Sequence, residues 1–345
     1  MKIADKKSNF WLKMLVLFII LIASIPLCAL WGTADISYME AAKFLISKII
    51  PSYSYEGPAY MNSIIWQLRI PRILLGAAVG GGLSICGVLM QALTKNILAE
   101  PYILGVSSGA SAMAVFAMSF GSTNTLMQLL GIPGAAFLGA LVSLVMVYIL
   151  SLVQGKSSSS RLLLSGIAVS LILNALTQFF ILLSPEGNTK NALYWMMGSL
   201  GGGRWTNIGI PVTISFVGLV FALVMSSILN IMSLGDETAV TIGVNVNIVR
   251  KLILVVVSLI TGGLVASSGC IGFVGLMIPH IARILFGADH RKTVVSSFLI
   301  GAIFLIWMDV GARTLLAPSE LSIGILTAFC GGPFFIMLMR KKKMG

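Results

Sequence analysis

Long apolar runs separated by short charged clusters set the pattern of this chain. The uncharged stretches are Met14–Trp31, Ile73–Thr94, Pro101–Gly155, Leu162–Pro185, Trp205–Gly235, Leu252–Ala282, Thr293–Met308 and Leu321–Met339. A helix needs about 20 apolar residues to cross the hydrocarbon core, so these runs predict membrane-spanning helices. Pro101–Gly155 is long enough for two spans, broken around Gly121–Gln128, with Pro133-Gly134 opening the second. Leu252–Ala282 reads either as one long helix or as two short ones broken at Ser267-Ser268-Gly269-Cys270-Ile271-Gly272. Parity selects the second reading. With one helix, the terminal Arg340-Lys341-Lys342-Lys343 would lie opposite Lys2, Lys6 and Lys7; with two, both basic termini lie in the cytoplasm. The pattern therefore predicts an all-α integral membrane protein of about ten transmembrane helices, one domain over 1–345.

Composition agrees with this reading. The chain of 345 residues is 57% hydrophobic and only 10% charged, where a soluble domain carries about a quarter charged residues. A net charge of +12 raises the question of nucleic acid. The basic residues, however, stand at the ends of apolar runs rather than in a stripe with interleaved aromatics, which predicts membrane topology and no nucleic-acid partner. In the ten-span arrangement, 16 of the 23 basic residues fall on the cytoplasmic side. Lys43, Lys48, Arg69, Arg72, Lys190, Arg204 and Arg313 fall outside. The basic N-terminus followed by Met14–Trp31 lacks an A-x-A site, so this segment reads as the first span rather than a secretory leader.

Candidate chemistry is sparse. Cys28, Cys86, Cys270 and Cys330 stand singly in apolar or Gly-rich stretches and read as small hydrophobes, so no metal site and no resident cofactor are expected. Gln154-Gly155-Lys156-Ser157 imitates the end of a phosphate-binding loop, but Leu150 stands where the motif needs glycine, so ATP hydrolysis is not expected of this chain. His280 reads as a structural hydrogen-bonding group, with a metal or proton-relay role as the sharper alternative. Asp309 stands four residues before Arg313 and predicts either an ion pair or an ion-coupling carboxylate. Ser170, Asn174, Thr177 and Gln178 lie in the fifth span and face either the bundle or a pathway, because unpaired polar groups are costly in lipid. Gly76/Gly80, Gly105/Gly109 and Gly262/Ala266 have the small-xxx-small spacing of close helix packing. Gly81–Gly87 and Gly262–Gly269 echo each other on spans predicted to run oppositely, as an inverted repeat would.

Between the sixth and seventh spans, Asp236 and Glu237 open a predicted short helix that Gly243 closes. Several segments together resemble the permeases of the iron-siderophore, haem and vitamin B12 class of ABC importers, the type II importers. They are Leu68-Arg69-Ile70-Pro71-Arg72, Gly87–Ala92, Asn96–Pro101 with Leu104–Ala110, Trp195–Leu200, Leu234–Gly243, Gly272–His280 and Glu320–Gly324, in order along nearly the whole chain. This chain has Asn96-Ile97 where the family usually has Asn-Pro, and Ser322 where it has proline.

The resemblance implies a pair of permease subunits, homo- or heterodimeric, in a bacterial or archaeal inner membrane. Two cytoplasmic ATPases would carry ATP and magnesium, and an external binding protein would deliver a metal chelate. The fold implied is that of a type II importer permease with a cytoplasmic coupling loop at about 233–248. Leu234, Gly235, Asp236, Glu237, Ala239 and Gly243 would dock on the ATPase, and Ser159 and Ser160 would form the cytoplasmic gate. The fifth and tenth spans would line the pathway, and Arg69, Arg72 and Arg313 would meet glutamates of the binding protein. Ferric siderophore leads the expected cargo, with haem and cobalamin as alternatives. An ion-coupled secondary transporter would need membrane-embedded carboxylates, which the first two-thirds of the span interiors lack.

Overall fold

The computed structural model describes residues 2–32, 36–50, 55, 57–121, 125–153, 156–157 and 159–341. Among them, helices α1 (Lys2–Leu30), α2 (Tyr38–Ile49), α3 (Ile70–Thr94), α4 (Val106–Phe120), α5 (Thr125–Ser151), α6 (Ser159–Leu182) and α7 (Glu186–Met196) lead to α8 (Gly209–Ser233). They continue with α9 (Asp236–Thr241), α10 (Val246–Ser268), α11 (Val274–Phe286), α12 (His290–Thr314) and α13 (Ile323–Lys341). A π-helical turn, Asn62–Arg69, runs straight into α3, and a 3-10 turn, Pro101–Leu104, precedes α4. Leu152–Val153 pairs antiparallel with Lys156–Ser157. Seven helical segments are long and apolar enough to cross a membrane, and the shorter apolar segments Val106–Phe120, Val274–Phe286 and Ile323–Leu338 complete the ten. The remaining helices, α2, α7 and α9, lie in the connections.

The two breaks expected from the sequence are present. Gly131 takes φ +62°, which turns the chain before the body of α5. Pro133 follows, fitting the first turn of a helix because it has no N–H to leave unpaired. Between α10 and α11, Gly269 and Phe273 both take positive φ. The amides freed by this break are caught by the 3-10 turn and its flank: Ile271 N–H donates to Tyr102 Oη at 3.0 Å, and Phe273 N–H to Glu100 Oε2 at 3.3 Å. Non-helical backbone at membrane depth persists only where protein satisfies it in this way.

Helix α3 is the axis of the bundle, buried along nearly its whole length and packed on α8, α10, α11 and α12. Glycine makes this possible. A Cβ at Gly80 would overlap the Gly301 carbonyl of α12, and one at Gly109 would overlap the Gly139 carbonyl of α5. Such backbone contact is how helices associate where burial from water provides no drive.

Side-chain contacts fix which ends meet. Arg69 holds the last carbonyls of α1, and Glu320, just before α13, holds Arg72 at the start of α3. At the other end of α3, Lys95 shares Asp236 with Arg250 of α10. Helices α3 and α10, which carry the echoed Gly-rich segments, therefore run antiparallel. Phe10 and Lys13 of α1 pack on Phe286 at the end of α11, which places the start of α1 at the Asp236 end. Helix α13 begins at the arginine end and runs away from it, so the N- and C-terminal helices open and close on the same side of the bundle. Gln154, Gly155, Lys342 and Lys343 lie outside the described residues.

Candidate functional site

At the first end of α3, four arginines and two carboxylates gather, and two of the arginines grip the carboxylates. Arg72 Nε donates to both oxygens of Asp309, at 2.9 and 3.1 Å, and its Nη1 to both oxygens of Glu320, at 3.1 and 2.9 Å. Arg313 Nε lies 3.0 Å from Asp309 Oδ2, so the i, i+4 pair read from the sequence is made and Arg72 adds a second cation to it. Arg313 also reaches Trp31 O at 3.1 Å and Cys28 O at 3.4 Å. Arg69 Nη1 donates to Ala29 O at 2.8 Å and Leu30 O at 3.1 Å. Arg204 donates to the carbonyls of Gly201 and Gly203. These arginines and Glu320 line a cavity of about 400 Å³.

The structure brings Arg69, Arg72 and Arg313 together but changes how they are read. Arg69 and Arg313 are 5% and 4% exposed and Asp309 only 1%, so these groups are built into the packing of α1, α3 and α12. Helix C-termini end on unpaired carbonyls, and the end of α1 finds its donors in these two arginines. Sequence reasoning gave no role to Glu320 or Arg204. The signal lies in the sequence: Arg204 is one of the few basic residues on the side poor in them, and Glu320 opens the family-like segment Glu320–Gly324.

At the far end of α3 the short helix α9 begins at Asp236, as predicted, after Gly235 at φ +127°. Gly243 ends the turn with φ +93°. Asp236 is clamped by Lys95 Nζ at 2.8 Å and Arg250 Nη2 at 3.2 Å. Its hydrogen bond to Lys95 is the main cause that holds its carboxyl below the usual range. Ala239 corrects the expected pattern: it faces inward, fully buried with Met232 and Val246. The outward face of the loop carries large apolar side chains instead, with Leu234, Val240, Ile242 and Ile248 exposed among Thr238 and Thr241. Glu237 is exposed beside them.

Helix α6 divides its polar residues. Asn174 and Gln178 are exposed on a face shared with Ile167, Leu171 and Leu182. Thr177, expected to line a pathway with them, is buried on the opposite side, where its hydroxyl donates to Leu173 O at 2.7 Å. Ser170 is half-buried. Ser159 and Ser160 open α6, and their side chains lie outside the described residues. His280 packs edge-on against Phe334 of α13. Among the described residues no group of three or more His, Cys, Asp or Glu could hold a metal ion.

A family model described as the FecCD transport family matches residues 17–341. The cobalamin import system permease protein BtuC of Halobacterium salinarum is 38% identical over 91% of this chain and 80% of its own length. The Fe(3+)-citrate import system permease protein YfmD of Bacillus subtilis is 38% identical over 98% of this chain and 97% of its own. A solved transporter assigned to the metal-chelate type of ABC transporters, in an inward-facing conformation, superposes with a TM-score of 0.81 at 28% identity, covering 95% of this chain and 98% of that one. A bundle of ten apolar helices with a broken α10–α11 crossing, matched along nearly its whole length, places the chain in the FecCD transport family, the permease subunits of type II ABC importers.

Proposed function

We propose that two such permease subunits enclose a pathway for a ferric siderophore, delivered by an external binding protein and driven by two cytoplasmic ATPases that bind ATP and magnesium. The observation that carries this reading is the pairing of two unlike sites at opposite ends of α3. One is a cationic cavity around Arg72. The other is a charge-clamped helix with an exposed apolar face. The first suits acidic groups of a binding protein, since a guanidinium grips a carboxylate with two hydrogen bonds. The second suits a hydrophobic groove on an ATPase. In this arrangement the Asp236 end and both termini are cytoplasmic, as the positive-inside count requires. Arg313 acts by holding Asp309, and Arg69 by holding the end of α1, behind the docking rim. Ser159 and Ser160 stand at the inner gate.

Asn174 and Gln178 face the pathway, because two amides on an otherwise apolar exposed face have no place against lipid. The test is uptake by the complete transporter in proteoliposomes. Asn174→Leu with Gln178→Leu is expected to slow uptake while leaving ATPase assembly intact. Unchanged uptake would assign that face to lipid. The cargo is decided separately, by binding of ferric siderophores, haem and cobalamin to the cognate binding protein. The cobalamin and ferric citrate relatives are equally similar to this chain, so a corrinoid-selective binding protein would replace the siderophore assignment and leave the importer reading untouched.

A further inference from the structure

The arginine cavity holds a surplus of positive charge, yet none of its cations is idle. Arg69, Arg204 and Arg313 spend donors on backbone carbonyls, and Arg313 also pairs with Asp309. Arg72 spends Nε on Asp309 and Nη1 on Glu320. At Arg72, a carboxylate arriving from outside therefore finds Nε and Nη1 both engaged, and it gains Nη1 only by exchange with Glu320.

The two resident carboxylates differ in how easily they leave. Asp309 is almost fully buried and grips two arginines; removing it would strand both charges, a loss of the kind that costs several kcal/mol. Glu320 is 42% exposed, and Arg72 is its one ion-pair partner among the described residues. Freed from Arg72 it returns to water, and exposed pairs of this kind contribute little. Glu320 also belongs to the connection between α12 and α13. That connection is pinned by Arg72 and by Leu321 N–H donating to Ala312 O at 2.9 Å. Helix α13 starts three residues later and is tied to the α7 end through Gly324 N–H and Met197 O at 3.1 Å.

We propose that Glu320 is an internal stand-in for a docking carboxylate, holding the outer fork of Arg72 until an acidic residue of the binding protein displaces it and so releases the connection leading into α13. The inference rests on the reading of the arginine end as the docking face. It adds that docking is an exchange, and that the exchange marks α13 as the first element to feel the partner. Because the bound-competent fork is occupied, the apparent affinity is reduced by the fraction of time Glu320 holds it.

The test is a double-mutant cycle on the full transporter, read as the dissociation constant for its cognate binding protein. Glu320→Gln is expected to tighten docking by about twofold to fivefold, the range of an exposed ion pair. In an Arg72→Gln background the same change should have no effect. If Arg72→Gln does not give a monodisperse complex, Arg72→Lys serves. A lysine is a point charge that stays on Asp309 and cannot hold both acids. Hydrogen exchange of residues 315–322 should rise on docking in the wild type and already be high in Glu320→Gln without the partner.

Looser or unchanged docking of Glu320→Gln would overturn the exchange. So would tightening of equal size with and without Arg72, which would mean that Glu320 acts only through the long-range field. If Arg72→Gln and Arg72→Lys both docked like wild type, the docking reading itself would fall.

Discussion

The two ends of α3 use the same chemistry to opposite effect. At the arginine end the Asp309 ion pairs are buried and the acid left at the surface is charged; at the Asp236 end the shared carboxylate is half-exposed and large apolar side chains stand at the surface beside it. Asp309 is enclosed between two guanidiniums and almost unreachable by water, whereas Lys95 and Asp236 are both more than two-fifths exposed. Burial makes the first cluster part of the scaffold, since each charge there is tolerable only while its partners remain. Exposure makes the second a weak clamp that positions a short helix. The difference teaches what each cluster leaves outside for the partners proposed above: the Glu320–Arg72 fork at one end, and Leu234, Val240, Ile242 and Ile248 at the other.

The sharpest way to break this comparison is to remove the central acid of each cluster. Asp309→Asn leaves Arg72 and Arg313 buried without their shared counter-charge and is expected to destabilise the subunit by about 3–5 kcal/mol. Asp236→Asn should cost less, about 1 kcal/mol, because Asp236 and Lys95 are solvated even though Arg250 is buried. Thermal unfolding of the purified subunit in detergent compares the two directly. Equal losses would mean that burial does not separate the ends.

The loop around α9 offers the next contrast. Ala239 is packed inside this chain, so Ala239→Trp should overfill the Met232–Val246 cluster and lower the stability of the isolated subunit by about 1–3 kcal/mol. Ile242→Glu lies on the exposed face and should leave that stability within about 0.5 kcal/mol, as surface changes usually do. It should nevertheless abolish co-purification of the ATPase. An Ala239→Trp subunit as stable as wild type, yet unable to hold the ATPase, would put Ala239 back at the interface.

Much of this architecture was legible in the sequence. Hydrophobic run length found the spans, and parity placed the break between α10 and α11, because the rule depends on counting rather than on contacts. The start of α9 was equally readable from Asp236 and Glu237. What the sequence hid were facing directions within a span. Asn174, Thr177 and Gln178 look alike on paper, but Thr177 returns its hydroxyl to the carbonyl four residues back and turns into the bundle. The burial of Arg69 and Arg313 was hidden for a related reason: their partners are the last carbonyls of α1, about 40 and 285 residues away. No local pattern signals a donor recruited to a distant helix end. Ala239 shows the same limit, since a six-residue helix has too few turns for periodicity to reveal its buried face.

The smallest expected effect belongs to the pH response of the Asp236 clamp. Lys95 and Arg250 hold the folded carboxyl below its ordinary value, so the unfolded chain takes up the proton first as pH falls. The contribution of the clamp is therefore fully present above the ordinary carboxylate range, about 3.9 for aspartate. It is lost as pH falls through the lower folded value. Wild type and Asp236→Asn should differ slightly in stability at pH 7 and converge as pH falls below the ordinary aspartate range, with Lys95→Met reproducing most of the difference at neutral pH. Salt should shrink the neutral-pH difference as well, because solvated charges are screened over about 10 Å at 0.1 M. A difference that grew on acidification would require a raised folded carboxyl, and the clamp could not then be the lysine and arginine that flank it.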